Sequence, residues 1–277
     1  VGSEMCIRDR VMSIEGQRRS VTLITGASDG IGAELAHVFA KNGHELVLVA
    51  RRQDKLQALA DQIKTTSGKA PVVIALDLIK ADAVTQLVTQ LNSAGLSIQY
   101  LVNNAGFGLI GRAVELNAAE QLDIIKLNCE ALTALTLEFL PQLILHKGGL
   151  LNVASVAAFM PGPGFTIYYA TKAYVRSFTE GLAEELKPLG VRVSCLCPGP
   201  VATGFQARAG FDFSGPMGAM KPAMLSSRDV AQQGYSGLMA DKTIIIPGVV
   251  NKFLVFFARL TPRALLLPIL AAAQKKR

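Results

Sequence analysis

The chain has 277 residues, of which 50% are apolar and only 18% charged, with a net charge of +7. One domain of this length buries roughly three quarters of its extended-chain surface, so neither a disulfide framework nor a metal staple is needed to hold it. Its four cysteines, Cys6, Cys129, Cys195 and Cys197, show no CxxC spacing and no Cys/His cluster, and no arginine-rich run with interleaved aromatics appears, which argues against zinc and nucleic acid.

Residues 1–11 do not share the pattern that follows, and they lack the apolar run of a signal peptide. They are expected to be a non-native extension, with Met12 as the start. From residue 21 onward, short apolar runs alternate with longer stretches of helical period, the mark of βαβ units. The runs 21–25, 45–50, 72–76, 98–102, 150–154, 191–196 and 243–246 are rich in Val, Ile and Leu and continuously apolar. That composition fits strands covered on both faces. The stretches 31–42, 54–66, 81–93, 119–146, 167–186 and 228–240 read as helices, with Gly43, Gly68, Gly95 and Gly190 punctuating their ends. Cys195 and Cys197 alternate within a strand run and read as reduced, buried thiols.

No linker or repeat interrupts the rhythm, so residues 12–248 are expected to form one domain. The segment 199–227 breaks it, mixing glycines and prolines with Phe205, Phe211, Phe213, Met217, Met220 and Met224. It reads as a loop over a binding cleft, lining an apolar pocket. No continuously apolar run of about 18 residues appears, so the body is expected to be soluble and cytoplasmic.

Residues 249–277 exceed what the alternation requires. Their apolar stretches 253–258 and 265–270 are interrupted by Arg259, Pro262, Arg263 and Pro268. Two short helices broken near Thr261-Pro262 fit better than one transmembrane helix. With Lys275-Lys276-Arg277 following, the segment suits an anionic membrane surface; folding back over the pocket or a dimer interface suits it equally.

The first strand runs into Thr25-Gly26-Ala27-Ser28-Asp29-Gly30-Ile31-Gly32, and a helix follows at once. Glycines there permit a tight turn and let backbone N–H groups approach a pyrophosphate at the positive helix end. Tyr168 and Lys172 stand i and i+4 on a predicted helix and share a face. A free phenol is a poor base at neutral pH, but an ammonium within a few Å lowers its pKa by roughly 1–3 units. The pair then suits proton transfer to or from a substrate oxygen. Taken singly, these residues have plainer readings. A Tyr/Lys pair is commonly a surface contact, Ser155 a turn cap, Asn128 a buried amide, Asn103 a tie between strands and Tyr169 a packing residue.

Together they carry a resemblance. The span 21–248 resembles the single-domain short-chain dehydrogenases/reductases. The spacing Gly-x3-Gly-x-Gly at 26–32, the Asn103-Asn104-Ala105-Gly106 element, Asn128, Ser155, Tyr168, Lys172 and Pro198-Gly199 match that family's motifs. Ser155 lies 27 residues after Asn128 and 13 before Tyr168, in the family's order. The resemblance implies a doubly wound α/β fold of Rossmann type, a parallel sheet in the order 3-2-1-4-5-6-7 with helices on both faces. It implies a catalytic tetrad of Asn128, Ser155, Tyr168 and Lys172, with Ser155 bonding the substrate oxygen, Lys172 also holding the nicotinamide ribose and Asn128 anchoring a water. It implies a cofactor site at Gly26, Ser28, Asp29, Gly30, Ile31, Gly32, Asp77, Leu78, Asn104, Ala105, Gly106, Pro198, Gly199 and Val201.

The second strand ends in Ala50-Arg51-Arg52 where an NAD enzyme usually has Asp or Glu. Arg51 therefore points to the 2′-phosphate of NADP(H) in preference to NAD(H), although both arginines would also suit a solvated helix start. Asp29 departs from this, standing where NADP-preferring relatives often have a basic residue. The expected activity is NADP(H)-linked interconversion of a carbonyl and an alcohol on a hydrophobic small molecule, in a homo-oligomer. An epimerase or dehydratase of the same fold and a catalytically silent nucleotide sensor are the alternatives.

Overall fold

A computed structural model describes residues 18–201 and 225–274. The 1–11 extension, Met12, the six Phe and Met residues of the 199–227 segment and Lys275-Lys276-Arg277 lie outside the described residues.

Seven short strands form one sheet: β1 (Arg19–Thr25), β2 (Leu46–Ala50), β3 (Val72–Ala75), β4 (Leu96–Asn103), β5 (Gly149–Val153), β6 (Arg192–Leu196) and β7 (Ile244–Ile245). Every pairing is parallel, and the order is 3-2-1-4-5-6-7, as expected. The helices are α1 (Gly30–Lys41), α2 (Gln53–Ser67), α3 (Ala83–Ser93), α4 (Ala118–Ile125), α5 (Leu132–Leu145), α6 (Thr166–Leu186), α7 (Ser227–Met239), α8 (Val249–Leu260) and α9 (Arg263–Gln274).

The continuous apolar runs follow from two helical layers. Along β2, Val47 and Val49 face a layer that includes Leu87 of α3, Phe139 of α5 and Leu182 of α6. Leu46 and Leu48 face the opposite layer, with Phe39 of α1, Leu56 of α2 and Val230 of α7. Each such side chain taken fully out of water stabilises the fold by about 1.5–3 kcal/mol, so neither face of a central strand tolerates a polar alternate. Cys195 in β6 and Cys197 just beyond its end point the same way as buried free thiols.

Among the elements that differ from the sequence reading, two stand out. The edge strand β7 is only two residues long, because it has a partner on one side alone. The helix expected over 119–146 is interrupted by a π-helical turn, Lys126–Ala131, between α4 and α5. Such a turn inserts one extra residue and redirects the side chains on it; the apolar period runs through it unchanged, so the pattern does not reveal it. Asn128 sits on this turn, almost fully buried.

The chain leaves β1 toward β2 and β3, then returns to β4 on the other side of β1. The carboxyl ends of β1 and β4 therefore open a crevice at the point where the strand order reverses, the usual ligand position in open α/β sheets.

Candidate active site

Thr25 ends β1, and the turn after it delivers the chain to α1. Gly26 has φ +65°, and a Cβ there would lie 2.8 Å from Ala105 Cα. Gly32, in the first turn of α1, has room for no side chain: a Cβ would collide with the Gly26 carbonyl and the Asn104 amide. Thr25 and Asn104 staple this turn to the end of β4. Thr25 Oγ1 accepts from the N–H groups of Asn104 and Ala105 at 3.1 Å each, and Asn104 Nδ2 donates to Thr25 O (3.0 Å) and Gly26 O (3.1 Å). The turn is thus held rigid, with the positive end of α1 beside the crevice. Gly32→Ala is expected to cost on the order of 1–3 kcal/mol through overpacking and to lower Tm by several degrees. Gly181→Ala, on the exposed side of α6 with open space around it, should instead raise stability by up to about 1 kcal/mol. Thermal denaturation of both variants checks the contrast; equal effects would show that the turn is not tightly packed.

Asp29 caps α1, its Oδ1 accepting from Gly30 N at 2.7 Å. Arg52 reaches back from the start of α2, donating to Ser28 Oγ (3.1 Å) and pairing with Asp29 Oδ2 (3.4 Å). The sequence reading singled out Arg51 and treated Asp29 as a departure; Arg52, which neutralises Asp29, was passed over because nothing local distinguishes adjacent arginines. Arg51 is exposed and forms no ion pair among the described residues. Asp77 follows β3, its Oδ1 accepting from Ile79 N at 3.3 Å, with Leu78 buried beside it.

Behind the crevice a polar ladder ties the central strands to the helices. Asn103 Nδ2 donates to Thr136 Oγ1 and Asn152 Oδ1, both at 3.0 Å, and Asn152 Nδ2 donates to Thr179 Oγ1 at 3.0 Å. All four side chains are buried, which gives Asn103 the strand-tying role expected of it.

At the other end of the crevice, Ser155 follows β5 and opens the 3-10 turn Val156–Phe159. Its Oγ accepts from Ala157 N (3.1 Å) and donates to Pro198 O (3.4 Å), and it also bonds the Tyr168 hydroxyl. The serine is therefore both a cap and a partner of the tyrosine. Tyr168 stacks on Phe165, with ring centroids 4.4 Å apart. Lys172 Nζ donates to Val153 O at 2.8 Å and lies 5.6 Å from the Tyr168 ring centroid. Asn128 spends its amide behind them: Oδ1 accepts from Phe107 N (3.1 Å), and Nδ2 donates to Phe107 O (2.9 Å) and Thr171 Oγ1 (3.1 Å).

The electrostatics of the pair correct one expectation. The ammonium was expected to pull the Tyr168 pKa down, yet burial pushes the phenol well above its ordinary range, the Ser155 bond opposing this only in part. Burial likewise lowers Lys172 to about 8, partly offset by Cys195, Cys129 and Cys197. A dry site penalises each ion separately, and Nζ is directed at a backbone carbonyl rather than at the phenol.

A cavity of about 470 Å³ joins these parts. The turn lines it through Gly26, Ser28, Asp29, Gly30 and Ile31, with Arg51, Arg52, Asp77 and Leu78 at the same end. Asn104, Ala105 and Gly106 form its middle, and Ser155, Tyr168, Lys172, Pro198, Gly199 and Val201 its far end. Gly32 and Asn128 stand behind the wall rather than in it. Leu127, Val156, Phe165 and Tyr169 also line the far end. The sequence reading missed the first three and set Tyr169 aside as packing, since apolar side chains carry no signal of which void they face.

A family model described as short chain dehydrogenase matches residues 20–211. The chain is 35% identical over 218 residues to a sulfoacetaldehyde reductase of Chromohalobacter salexigens, covering 76% of this chain and 85% of that protein. It is 36% identical over 191 residues to a very-long-chain 3-oxoacyl-CoA reductase of Phaeosphaeria nodorum, covering 67% of this chain but only 56% of that protein. Among solved structures, a short-chain dehydrogenase from Sphingobium yanoikuyae in complex with NADPH superposes with a TM-score of 0.75 at 34% identity, covering 83% of this chain and 89% of that one. A bulky-bulky ketone specific alcohol dehydrogenase from Comamonas testosteroni gives 0.72 at 29% identity, covering 88% and 93%. With that sheet order, that glycine turn and a match over most of its length, the chain belongs to the short-chain dehydrogenase/reductase family, as an oxidoreductase acting on CH–OH groups.

Proposed function

We propose that this protein uses NADP(H) to interconvert a ketone or aldehyde and the corresponding alcohol on a hydrophobic substrate, with Tyr168 handling the proton. The observation that carries this reading is the convergence of Ser155, Tyr168 and Lys172 in one cavity that also contains the glycine turn.

The residues fit a nicotinamide dinucleotide. The turn packs too closely at Gly26 and Gly32 to admit a Cβ, which brings its backbone and the start of α1 up to the cavity, and at Gly106 a Cβ would come within 3.4 Å of Lys172 Nζ. The turn would hold the pyrophosphate, Asp77 and Leu78 the adenine, and Arg51 the 2′-phosphate. Asn104, Ala105, Gly106, Pro198, Gly199 and Val201 would border the nicotinamide half, and Lys172 its ribose. When bound, that group supplies or takes the hydride at the substrate carbon.

The chain's own residues do the rest. Held neutral by burial, the Tyr168 phenol is a proton donor at neutral pH, which favours carbonyl reduction. Ser155 bonds the same substrate oxygen and steadies charge as it develops. Alcohol oxidation needs the phenolate, so its rate should rise with pH where reduction does not. The wall around Tyr168 is formed by Leu127, Val156, Phe165 and Tyr169, and among the described residues Lys172 is the one charged side chain lining this end, which supports an apolar substrate.

Consumption of NADPH and NADH against hydrophobic ketones, aldehydes and acyl thioesters tests the reading. Nucleotide binding without consumption would favour a silent sensor, and product formation without net redox an epimerase. Arg51→Asp is expected to shift the NADPH/NADH ratio of kcat/KM by about 10²-fold toward NADH, the worth of one or two charge-assisted hydrogen bonds. An unchanged ratio, with Arg52→Asp shifting it instead, would move the phosphate contact to the neighbouring residue.

A further inference from the structure

The two helices after the last strand are amphipathic in the reverse sense. Of α8, only Val255 is buried, packing with Phe159 and Cys197, while Asn251 and Ala258 on the same side are partly covered. The opposite side holds Val249, Phe253, Phe256, Phe257 and Leu260, at the i, i+4, i+7, i+8 and i+11 spacing of one helical face. All five are more than half exposed, from 56% for Phe256 to 67% for Val249. A helix of a soluble domain turns its apolar stripe inward; this one turns it to solvent. After the break at Thr261-Pro262, α9 continues the surface with Leu265 and Ile269, also more than half exposed.

The charge is distributed with equal bias. Residues 249–277 contain Lys252, Arg259, Arg263, Lys275, Lys276 and Arg277 and no Asp or Glu, which leaves the remaining residues a net charge of only +1. Lys252 and Arg259, seven residues apart, flank the apolar face of α8 and are exposed. Two such faces brought together would oppose cations with no carboxylate from this segment to pair them, which disfavours a second copy as the occupant. No described helix is long and apolar enough to cross a membrane.

We infer that α8 and α9 form a docking surface for an anionic lipid bilayer, lying in the interface with Phe253, Phe256, Phe257 and Leu260 among the acyl chains and Lys252, Arg259 and Arg263 among the headgroups. Both halves of the recognition are present: a phenyl- and leucine-rich face for burial and a cationic flank without acids for anionic headgroups. The surface also adjoins the candidate active site. α8 packs on the 3-10 turn that begins at Ser155, and Asn251 abuts Gly199 at the cavity wall. These contacts are on the buried side of α8, so one helix separates a bilayer held on its outer face from the cavity wall.

The test is flotation of the full chain with vesicles of equal parts phosphatidylglycerol and phosphatidylcholine, and with phosphatidylcholine alone. The protein should float with the first and far less with the second. Phe253→Asp/Phe257→Asp should lower the partition coefficient at least about tenfold through lost apolar burial. Lys252→Glu/Arg259→Glu should do the same through charge and should also lose the preference for the anionic vesicle. These side chains are exposed, so Tm should hold in both variants. Absence of flotation with anionic vesicles, or wild-type flotation by the double Phe variant, overturns the inference. So does a dimer in gel filtration that becomes a monomer in the Phe variant while flotation stays absent, which would assign the face to a second copy. Flotation requires no turnover, so its outcome is separate from that of the proposed reaction.

Discussion

Tyr168→Phe is expected to lower turnover by about 10²–10⁴-fold, the range for losing a positioned acid or base, while nucleotide affinity stays within about twofold. Only the phenol oxygen is removed. The ring keeps its stack on Phe165 at 4.4 Å, and Ser155 keeps its bonds to Ala157 N and Pro198 O. The turn at Gly26 and Gly32 lies at the other end of the cavity, and Lys172 remains bonded to Val153 O. The loss should therefore fall on kcat, the pattern of an interaction made chiefly in the transition state. Steady-state kinetics together with a nucleotide titration separate the two effects. A variant that retains more than about a tenth of the wild-type rate has another proton donor, and Tyr169, which also lines the cavity, would be the first to examine.

Lys172→Met is expected to abolish turnover and, at pH 7, to make the protein more stable. Burial lowers the Lys172 pKa from 10.5 to about 8. Between those values the folded chain holds fewer protons than the unfolded one, so stability rises with pH through that window, and below pH 8 the penalty is fully present. A displacement of that size corresponds to roughly 3 kcal/mol. Against it stands the Val153 carbonyl, which loses its donor at a cost of about 1–3 kcal/mol. The net gain at pH 7 should be up to about 2 kcal/mol. It should shrink toward pH 10, where wild-type Lys172 is largely neutral. Denaturant unfolding of both proteins at pH 7 and pH 10 reads this directly. A variant less stable than wild type at pH 7, or a gap that widens with pH, would mean that the buried ammonium is compensated by contacts beyond the carbonyl. The stability conceded at this position is of the kind that functional sites commonly carry.

The fold was legible because its determinants are periodic and local. Continuous Val/Ile/Leu runs mean strands covered on both faces, and a glycine turn directly after the first of them marks the crevice that a doubly wound sheet opens. Gly32 could be singled out before any coordinates, since its spacing from Gly26 follows from how closely the helix must pass the turn. The pairing of Tyr168 with Lys172 was equally visible, four residues apart on one helix.

What escaped depends on long-range packing. The π-helical turn that buries Asn128 leaves no trace in an apolar period, because it is stabilised by Phe107, 21 residues away. Which of two adjacent arginines turns to Asp29 depends on where α1 begins relative to α2. The sign of the Tyr168 shift reversed for the same reason: spacing along a helix reports that a cation is near, but the direction of its N–H bonds and the exclusion of water are properties of the assembled site. The outward apolar face of α8 is likewise invisible in the chain, since a helical wheel shows two faces and only the packing of Val255 against Phe159 reveals which one is left to solvent.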